Sequence, residues 1–587
     1  MENEKSRVVY QADKIKDFRE LIQRTAEKYP SQIAYKYKIK HGKDDIEYVN
    51  KTYSEFKKDI EALSTKLLSM GLKGKKVAVI GNNRYEWCTT YLAVTTGGMI
   101  IVPLDKALPE NEIQSLVTRS KAEAIICEPK YISAVKNLEG NLKYIISMDD
   151  VEGQEEINAE EILINNTQEP EVLLYENLLS DGKKLRRAGN KEYDEITLNS
   201  SEMSILLFTS GTTSVSKGVM LSQDNVCANI QAIASYVQMT TDDTLLSFLP
   251  IHHTFECTIT FLYGIYFGVT VAFCDGIKYI QKNMNEYHVT VFVAVPLVLE
   301  NIHKKVWKGI EDQGKKGLMK TMVVLTKALS KIGIDLRKKV FKPIINQFGG
   351  KLRVVFVGSA PLDKKIIQGF NDFGVDLVQG YGLTETSPVL TAETDKEKRP
   401  GSIGLPLYNI DLKIVDPDET GVGEITAKGP SIMLGYYENE EATAKAIKDG
   451  WFSTGDYGHL DKDGFLYISG RKNDIIVLKN GKNIYPQELE FLLNKLPAVV
   501  ETMVFARNKD SMDTTLCAKI VYDKDQAKEI YGEKSAEELK EIFWTKVKEV
   551  NQTLPDVKHI KEIILTDEPL AKTTTQKVKR YEEISKS

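Results

Sequence analysis

Residues 206–222 read LLFTSGTTSVSKGVMLS, an apolar run that leads into a loop of hydroxyl side chains and glycines. The candidate ligand-binding residues of this loop are Thr209, Ser210, Gly211, Thr212, Thr213 and Lys217. Hydroxyl donors, a glycine that lets the backbone come close and a lysine together suit phosphate oxygens. The order Ser216-Lys217-Gly218 differs from the Gly-Lys-Ser/Thr of a Walker A loop. We therefore predict a strand that ends in a polyphosphate loop; the alternative is an ordinary Ser/Thr-rich turn.

Short apolar runs of the same kind recur on both sides of this segment. They cover residues 77–80, 99–104, 122–127, 205–208, 290–295 and 353–357. Polar or amphipathic segments separate them, and such β/α alternation is typical of a mostly parallel sheet with helices on both faces. The sequence therefore predicts an α/β fold. Residues 137–199 are acidic and irregular, and we interpret them as surface excursions of the main domain.

Composition limits the function classes. The chain has 587 residues, 42% hydrophobic and 27% charged, which is typical of a globular protein. Its net charge of -5 argues against a nucleic-acid partner bound through bulk charge. The six cysteines show neither CxxC nor zinc spacing, and residues 1–14 lack the apolar core of a signal peptide. We expect reduced thiols and a cytoplasmic location; the oligomeric state is not indicated.

Two segments raise the question of a membrane. Residues 257–274 carry no charge, but Gly264 and Gly268 interrupt them, which predicts a buried helix followed by a buried strand. Residues 303–343 contain twelve basic and three acidic side chains, a balance of +9, with apolar residues at helical spacing from Leu318 to Val340 and a break or bend expected at Gly333. This pattern fits peripheral attachment to an anionic membrane surface. A solvated helical hairpin packed on the body of the protein is the favoured interpretation of the same pattern, and membrane attachment is the alternative.

Further motifs identify a family. The segment 209–218 resembles the T-S-G-T-T-G-x-P-K-G phosphate signature of the acyl-adenylate-forming (AMP-binding) superfamily, with Ser214 and Ser216 in place of the usual glycine and proline. The segment 379–386, QGYGLTET, resembles the second core motif, and 358–362, GSAPL, the adenine-side loop. Residues 451–456 (WFSTGD) and 470–474 (GRKND) resemble the ribose and hinge motifs. The segment 570–580 resembles P-K-T-x-x-G-K-I-x-R, with Ala571 and Gln576 as departures.

The resemblance, which is closest to long-chain fatty acyl-CoA synthetases, implies a set of roles. Lys577 is the implied catalytic lysine, together with Thr384, Glu385 and His253; Glu385 and Thr209 are the implied Mg²⁺ ligands. The implied nucleotide- and coenzyme-A-binding residues are Thr209, Ser210, Gly211, Thr212, Thr213, Lys217, Gly358, Ser359, Ala360, Gln379, Gly380, Tyr381, Gly382, Thr384, Asp456, Arg471 and Gly481. A carboxylate such as Asp456 has acceptors for both ribose hydroxyls. The implied cofactors and co-substrates are ATP, Mg²⁺ and coenzyme A.

The resemblance also implies a domain plan. Residues 1–472 would form a large N-terminal domain of mostly parallel sheets flanked by helices, with a β-barrel-like subdomain. Residues 473–587 would form a small mobile α+β domain that turns about Asn473. Its own residues agree with α+β: strands are expected at 501–505, 516–521 and 562–565, and Ser535 with Glu538 predicts a capping box at a helix start.

The acyl substrate is predicted from the segment 249–256, LPIHHTFE, which resembles the L-P-x-x-H-x-x-E of fatty acyl-CoA synthetases and places His253 and Glu256 near the carboxylate. Two structural histidines are the alternative. With the apolar stretch after it and the basic arm, this segment favours a medium- to long-chain fatty acid. The alternative functions are an enzyme that loads another carboxylate or a carrier-protein thiol, and a catalytically silent nucleotide-binding homologue.

Overall fold

The computed structural model describes residues 8–41, 45–138, 140–150, 170–209, 216–478, 483–508, 514–572 and 578–586. Its strands are β1 (Ile33–Lys40), β2 (Ile46–Thr52), β3 (Lys76–Ile80), β4 (Ile100–Pro103), β5 (Ala124–Cys127), β6 (Tyr144–Ser147), β7 (Glu171–Leu174), β8 (Met203–Thr209), β9 (Lys217–Ser222), β10 (Thr244–Ser247), β11 (Thr270–Phe273), β12 (Val291–Ala294), β13 (Val354–Val357), β14 (Asp376–Gly382), β15 (Val389–Ala392), β16 (Leu405–Pro406), β17 (Asp411–Val415), β18 (Gly423–Lys428), β19 (Gly435–Tyr436), β20 (Ile447–Lys448), β21 (Trp451–Leu460), β22 (Leu466–Arg471), β23 (Ile476–Val477), β24 (Asn483–Ile484), β25 (Val499–Asn508), β26 (Thr514–Tyr522) and β27 (Glu562–Thr566).

The α-helices are α1 (Phe18–Lys28), α2 (Tyr53–Ser69), α3 (Tyr85–Thr96), α4 (Glu110–Ser120), α5 (Ile132–Val135), α6 (Tyr175–Arg187), α7 (Glu192–Glu195), α8 (Gln223–Ala234), α9 (Tyr263–Phe267), α10 (Ile280–Glu286), α11 (Pro296–Asp312), α12 (Lys316–Lys331), α13 (Arg337–Val340), α14 (Lys342–Ile345), α15 (Lys364–Asp372), α16 (Glu440–Ala446), α17 (Pro486–Leu493), α18 (Lys524–Tyr531), α19 (Ala536–Asn551) and α20 (Arg580–Ser585). A π-helical turn spans Glu256–Leu262, and short 3₁₀ turns include Thr384–Thr386 and Lys472–Asp474.

The chain divides into two compact units. The first comprises Met1–Thr209, Ser216–Asp411 and Lys428–Gly450; of the described residues, the second holds those in Leu412–Ala427 and Trp451–Ser587. The predicted α/β class, with a large sheet-and-helix N-terminal domain and a smaller C-terminal one, is confirmed. The boundary predicted between 472 and 473, and the mobility of the smaller domain, stay predictions.

Two sheets form the first unit. One has the order β16-β15-β14-β13-β12-β10-β11-β1-β2 and the other β19-β9-β8-β4-β3-β5-β6-β7. The central strands pair in parallel, as in β12–β13–β14 and β4–β3–β5. Their side chains are buried on both faces, which explains why they read as continuous apolar runs rather than as alternating ones. Each of the six predicted strands is present.

The interpretation of residues 137–199 as surface excursions was wrong in part. Their described residues include β6 and β7, two parallel strands of the second sheet, and α6, which packs against α2. Tyr144–Ser147 reads YIIS, a run too short to stand out beside the acidic residues that follow. By contrast, residues 257–274 form the predicted helix and strand. Within the described part of the chain, no helix is long and apolar enough to cross a bilayer.

In the second unit, β17, β18, β21 and β22 belong to one antiparallel sheet, and β25, β26 and β27 form another. The strands predicted at 501–505, 516–521 and 562–565 are confirmed. The predicted capping box is also present: Ser535 accepts from the Glu538 backbone N–H, and the Glu538 carboxylate accepts from the Ser535 backbone N–H. Residues 479–482 lie outside the described residues, and β23 and β24 pair antiparallel on either side of them.

Candidate active site

The predicted phosphate loop connects two antiparallel strands. Thr209 ends β8, Lys217 begins β9, and the two residues are cross-strand partners. Their link includes the Thr209 hydroxyl, which lies 3.5 Å from the Lys217 carbonyl oxygen. Ser210, Gly211, Thr212 and Thr213 lie outside the described residues, so the structure places only the two ends of the predicted loop.

Lys217 is connected to the predicted metal ligand through Tyr436. The Lys217 ammonium lies 4.9 Å from the centre of the Tyr436 ring, a cation–π distance. The Tyr436 hydroxyl donates to Glu385 Oε1 at 3.0 Å. Burial, reinforced by the negative charge of Glu385, raises the pKa of Tyr436 well above its usual value, so the phenol stays protonated and donates. The Tyr436 side chain thus contacts both the Lys217 ammonium and the Glu385 carboxylate.

The second core motif lies at the end of β14. Four of the predicted binding residues, Gln379, Gly380, Tyr381 and Gly382, are the last four residues of β14. The 3₁₀ turn that follows contains Thr384 and Glu385. A Cβ on Gly382 would lie 1.7 Å from the Pro388 carbonyl oxygen, so only glycine fits there. The turn is fastened by the Leu383 N–H, which donates to the Thr386 hydroxyl at 2.9 Å.

A buried carboxyl group supports the same strand. Glu393 accepts from the Gln379 N–H at 3.0 Å and from the Arg399 N–H at 3.1 Å. Burial raises the pKa of Glu393 to about 7, since these donors only partly offset the loss of hydration. No sequence motif singles out Glu393, because its partners are backbone groups.

The predicted adenine-side loop follows the neighbouring strand β13. Val357 pairs with Gln379, so Gly358, Ser359 and Ala360 leave the sheet next to the second core motif. Ser359 has a φ of 75°, in the left-handed region, and it is exposed with Ala360. A Cβ on Gly358 would lie 3.0 Å from the Phe255 ring. The loop therefore backs onto the segment that carries His253.

The two histidines of this segment lie side by side, with ring centres 4.5 Å apart. His252 is largely buried, and desolvation together with repulsion from His253 lowers its pKa to about 3. Its Nε2 lies 3.6 Å from Asp105 Oδ2. Because the imidazole is neutral near pH 7, we treat this as a polar contact rather than an ion pair. His253 is half-buried beside it.

Glu256 turns into the protein interior. It is fully buried at the start of the π-helical turn, where Ser247 donates to Oε1 at 2.7 Å and Thr260 donates to Oε2 at 3.0 Å. Burial raises the pKa of Glu256 to about 8, so its carboxyl group is mainly neutral at pH 7. The sequence motif predicts Glu256 near the acid carboxylate and gives no sign of this burial.

An apolar cavity of about 10 Å³ lies beside this segment. It is lined by Tyr91, Pro103, Ile205, Leu207, Leu221, Val226, His252, Thr254, Cys257 and Thr258. None of these side chains is acidic, and none is a lysine or an arginine. Ile205 and Leu207 belong to β8, the strand that ends at Thr209, so the cavity lies next to the start of the predicted phosphate loop.

The predicted ribose residues lie in the second unit. Asp456 and Arg471 face each other across β21 and β22. Arg471 Nε lies 3.4 Å from Asp456 Oδ1, and Asp456 is buried whereas Arg471 is partly exposed. The structure therefore brings together the two residues that were predicted from separate motifs.

Lys577 and Gly481 lie outside the described residues, as does Gln576. The residues on either side of the segment 573–577 are nevertheless well anchored. Lys572 and Val578 form an antiparallel bridge, and the Lys579 N–H donates to the Ala571 carbonyl at 2.8 Å. Arg580 Nη2 lies 2.6 Å from both carboxylate oxygens of Glu490. The predicted catalytic lysine is thus flanked in sequence by anchored residues.

Comparison with known proteins identifies the family. The model of the AMP-binding enzyme family matches residues 22–437, and that of the AMP-binding enzyme C-terminal domain matches residues 473–586. The long-chain-fatty-acid–CoA ligase FadD15 of Mycobacterium bovis is 28% identical over 500 residues, 79% of this chain and 78% of that protein. The long-chain-fatty-acid–[acyl-carrier-protein] ligase AEE15 of Arabidopsis thaliana is 25% identical over 602 residues, with coverage of 90% and 80%.

Solved structures have the same fold. The o-succinylbenzoate CoA synthetase of Bacillus subtilis, in complex with its acyl-adenylate intermediate, superposes with a TM-score of 0.70 at 21% identity, covering 96% of this chain and 97% of that one. The anthranilate CoA ligase AuaEII, in complex with anthranoyl-AMP, gives a TM-score of 0.73 at 18% identity, with 98% of both chains covered. With family models matching most of its length, this chain belongs to the AMP-binding enzyme family.

Proposed function

We propose that this protein activates a medium- to long-chain fatty acid with ATP. The products of the first step are an acyl-adenylate and pyrophosphate, and transfer to coenzyme A then yields acyl-CoA and AMP. The observation that carries the choice of acid is the lining of the cavity next to β8. Its apolar walls and the neutral imidazole of His252 suit an alkyl chain better than an ammonium group or a second carboxylate.

The small volume of the cavity means that an acyl chain cannot enter it as it stands. At about 10 Å³ it has room for about one water molecule, so an acyl chain enters only when side chains of the lining move aside. The adjoining Glu256–Leu262 turn is π-helical, an irregularity that often accompanies functional sites. We propose that this turn adjusts when the acid binds.

Charge is the main obstacle to the first step, because a carboxylate must attack the α-phosphate of ATP. Lys217 would bind phosphate oxygens at the start of β9, and Lys577 would lie between the carboxylate and the α-phosphate. Asp456 would accept hydrogen bonds from the ribose hydroxyls, with Arg471 beside it. His253 would orient the carboxylate of the acid. Positioning and neutralisation of charge then supply most of the rate enhancement.

The residues present fit Mg²⁺. Among the described residues no cluster of three or more metal-ligating side chains occurs. Mg²⁺ is usually held by one or two carboxylates together with substrate phosphates, which is what Glu385 offers. Glu385 is already oriented by Tyr436, and the Thr209 hydroxyl would be a further ligand. When bound, the ion neutralises phosphate charge.

The second step is proposed for the smaller domain. We propose that residues 473–587 turn about Asn473 after adenylation, which takes Lys577 away and brings Gly481 to the thiol of coenzyme A. Asn473 lies in the 3₁₀ turn Lys472–Asp474, directly after the strand that carries Arg471.

Pyrophosphate release with a panel of acids tests the proposal. Acetate, octanoate, palmitate, oleate, benzoate and an amino acid would each be supplied with ATP and Mg²⁺, with and without coenzyme A. We expect octanoate or the longer acids to give the fastest release, and coenzyme A to allow multiple turnovers. A preference for acetate or the amino acid would contradict the choice of acid.

Two alternatives remain testable in the same assay. The similarity to AEE15, named as an acyl-carrier-protein ligase, motivates a carrier-protein thiol as acceptor. Turnover with a carrier protein and not with coenzyme A would establish it. A catalytically silent nucleotide-binding homologue, motivated by Ser214, Ser216, Ala571 and Gln576, would bind ATP and release no pyrophosphate with any acid.

We also propose that residues 303–343 attach to an anionic membrane, at its inner, cytoplasmic face. In α12, Met319, Met322 and Val323 pack against the core, while Leu318, Val324 and Leu325, together with Ile332 just after the helix, are 52–71% exposed. Exposed lysines flank the exposed apolar stripe, among them Lys315, Lys316, Lys320 and Lys331. An exposed apolar stripe between cations is the combination that binds a lipid surface.

Vesicle co-sedimentation tests this attachment. We expect the protein to bind phosphatidylserine vesicles at low salt and to bind neutral phosphatidylcholine vesicles less. Replacing both Leu318 and Leu325 by serine would weaken binding, whereas Ile530→Ser, at a similarly exposed position of the second unit, would not. Absence of binding to anionic vesicles at low salt would refute the attachment.

A further inference from the structure

Arg119 holds the residue that precedes β9. It lies in the last turn of α4 and reaches Ser216, which is 97 residues away in sequence. One guanidinium nitrogen donates to the Ser216 hydroxyl at 3.0 Å, and the other donates to the Ser216 carbonyl at 2.7 Å. Two charge-assisted hydrogen bonds from one rigid group fix both the side chain and the backbone of a residue.

The same guanidinium touches the other strand of the hairpin. Its central carbon lies 5.2 Å from the centre of the Phe208 ring, the residue before Thr209. Arg119 therefore contacts β8 just before Thr209, at one end of the predicted phosphate loop, and contacts Ser216 just before Lys217, at the other end. Among the described residues Arg119 pairs with no carboxylate, so its donors remain directed at the hairpin.

Ser216 is a position where backbone restriction matters. The motif that this segment resembles has proline there, whose ring fixes φ and lowers the entropy lost on ordering. Serine gives no such restriction. Lys217 follows immediately and carries the ammonium that lies over Tyr436. A fixed Ser216 therefore limits the conformations open to the start of β9, where Lys217 pairs with Thr209.

We propose that Arg119 is a positioning residue for ATP binding, and that its two hydrogen bonds to Ser216 replace the backbone restriction that a proline would supply. The proposal rests on the proposed function, because it assumes that Lys217 binds phosphate. It assigns no contact with the substrate to Arg119. The clamp organises the start of β9 before ATP arrives, so less ordering remains to be done on binding.

Calorimetric titration of the full-length protein with ATP and Mg²⁺, without an acid, tests the clamp. We expect Arg119→Met to weaken ATP binding about tenfold, the effect of losing a charge-assisted bond pair that is partly replaced by water. Arg119→Lys, which keeps the charge and loses the fork, should also weaken it. Ser216→Pro alone should bind like the wild type. The double variant Arg119→Met/Ser216→Pro should recover to within about threefold of the wild type.

Recovery of ATP binding in the double variant would distinguish a clamp on Ser216 from direct attraction between Arg119 and phosphate. Equal weakening by Arg119→Met in the serine and proline backgrounds would overturn the proposal, as would unchanged binding by Arg119→Met. If Ser216→Pro does not fold, Ser216→Ala replaces it. The double variant with Arg119→Met should then lose no more than Arg119→Met alone, and additive losses would overturn the proposal.

Two controls complete the design. Arg187→Met removes an exposed arginine from the last turn of α6 and should change neither ATP binding nor the thermal unfolding midpoint. ATP binding by the wild type distinguishes failure of the proposed function from failure of the proposed clamp. If the wild type binds no ATP, the proposed function fails. If the wild type binds ATP and Arg119→Met binds equally well, only the clamp fails.

Discussion

Replacing Glu256 by glutamine should stabilise the first unit in a pH-dependent way. The carboxyl group is fully buried, and its pKa rises from 4.5 to about 8 on folding. The folded state therefore binds a proton more tightly than the unfolded state. The stability that this proton gives is complete below pH 4.5 and is lost as the pH rises through about 8. The amide of the Glu256→Gln variant would remain neutral throughout and lose nothing.

The magnitude follows from the size of the shift. Each pH unit above 4.5 lowers the wild type's free energy of unfolding by about 1.4 kcal/mol until the folded-state pKa is reached. By pH 7 the wild type has lost about 3 kcal/mol relative to acid conditions. The amide can still accept from Ser247 and donate to the Thr260 hydroxyl, so the change in packing is small. We expect the advantage of the variant to grow by about 3 kcal/mol between about pH 5 and about pH 8.

Urea unfolding of both proteins across this pH range measures the difference. Trp87, buried in the same unit with its ring 6.4 Å from that of Phe261 in the π-helical turn, is one of the four tryptophans whose summed fluorescence reports unfolding. Contributions from Glu393, with its pKa raised to about 7, occur in both proteins and cancel. Glu529→Gln, at an exposed site, is the matched control. Its free energy of unfolding should change with pH in the same way as that of the wild type. Parallel curves for Glu256→Gln and the wild type would refute the reasoning.

Three further outcomes are expected. Gly382→Ala should destabilise the protein by several kcal/mol, because its Cβ would meet the Pro388 carbonyl at 1.7 Å; a thermal unfolding midpoint equal to that of the wild type would contradict this. Tyr436→Phe removes the donor to Glu385 and should raise the Mg²⁺ concentration needed for half-maximal pyrophosphate release about fivefold, at unchanged thermal stability; an unchanged Mg²⁺ requirement would count against the metal assignment. Lys577→Ala should abolish adenylate formation while ATP binding persists, and normal pyrophosphate exchange would remove the lysine from the mechanism.

The fold was predictable where local and global signals agree. Runs such as 77–80 and 353–357 are apolar because both faces of their strands are covered, and that pattern is visible in the sequence. Strand β6 was missed because its four residues precede a long acidic stretch. The Ser535 capping box involves only four residues in sequence order, so the sequence alone predicts it.

The candidate site divides in the same way. Motif spacing predicts Glu385, Asp456 and Arg471 as site residues, and the structure places the last two opposite each other across one pair of strands. The contacts of Arg119 with Ser216 and of Tyr436 with Glu385 join residues 97 and 51 positions apart. No local sequence pattern predicts contacts between residues so far apart in the chain. The neutral state of Glu256 depends on burial by several elements at once, which composition and spacing do not record.

The route of the chain between the two units has a practical consequence. The polypeptide enters the second unit at Leu412, leaves it after Ala427, and enters it again at Trp451. Cleavage at one peptide bond therefore cannot separate the units. A fragment that starts at residue 473 would lack β17, β18, β21 and β22, and the remainder would keep these strands without their C-terminal neighbours. Limited proteolysis near residue 472 should yield two fragments that co-elute in native chromatography, although residues 473–587 contain a hydrophobic core of their own.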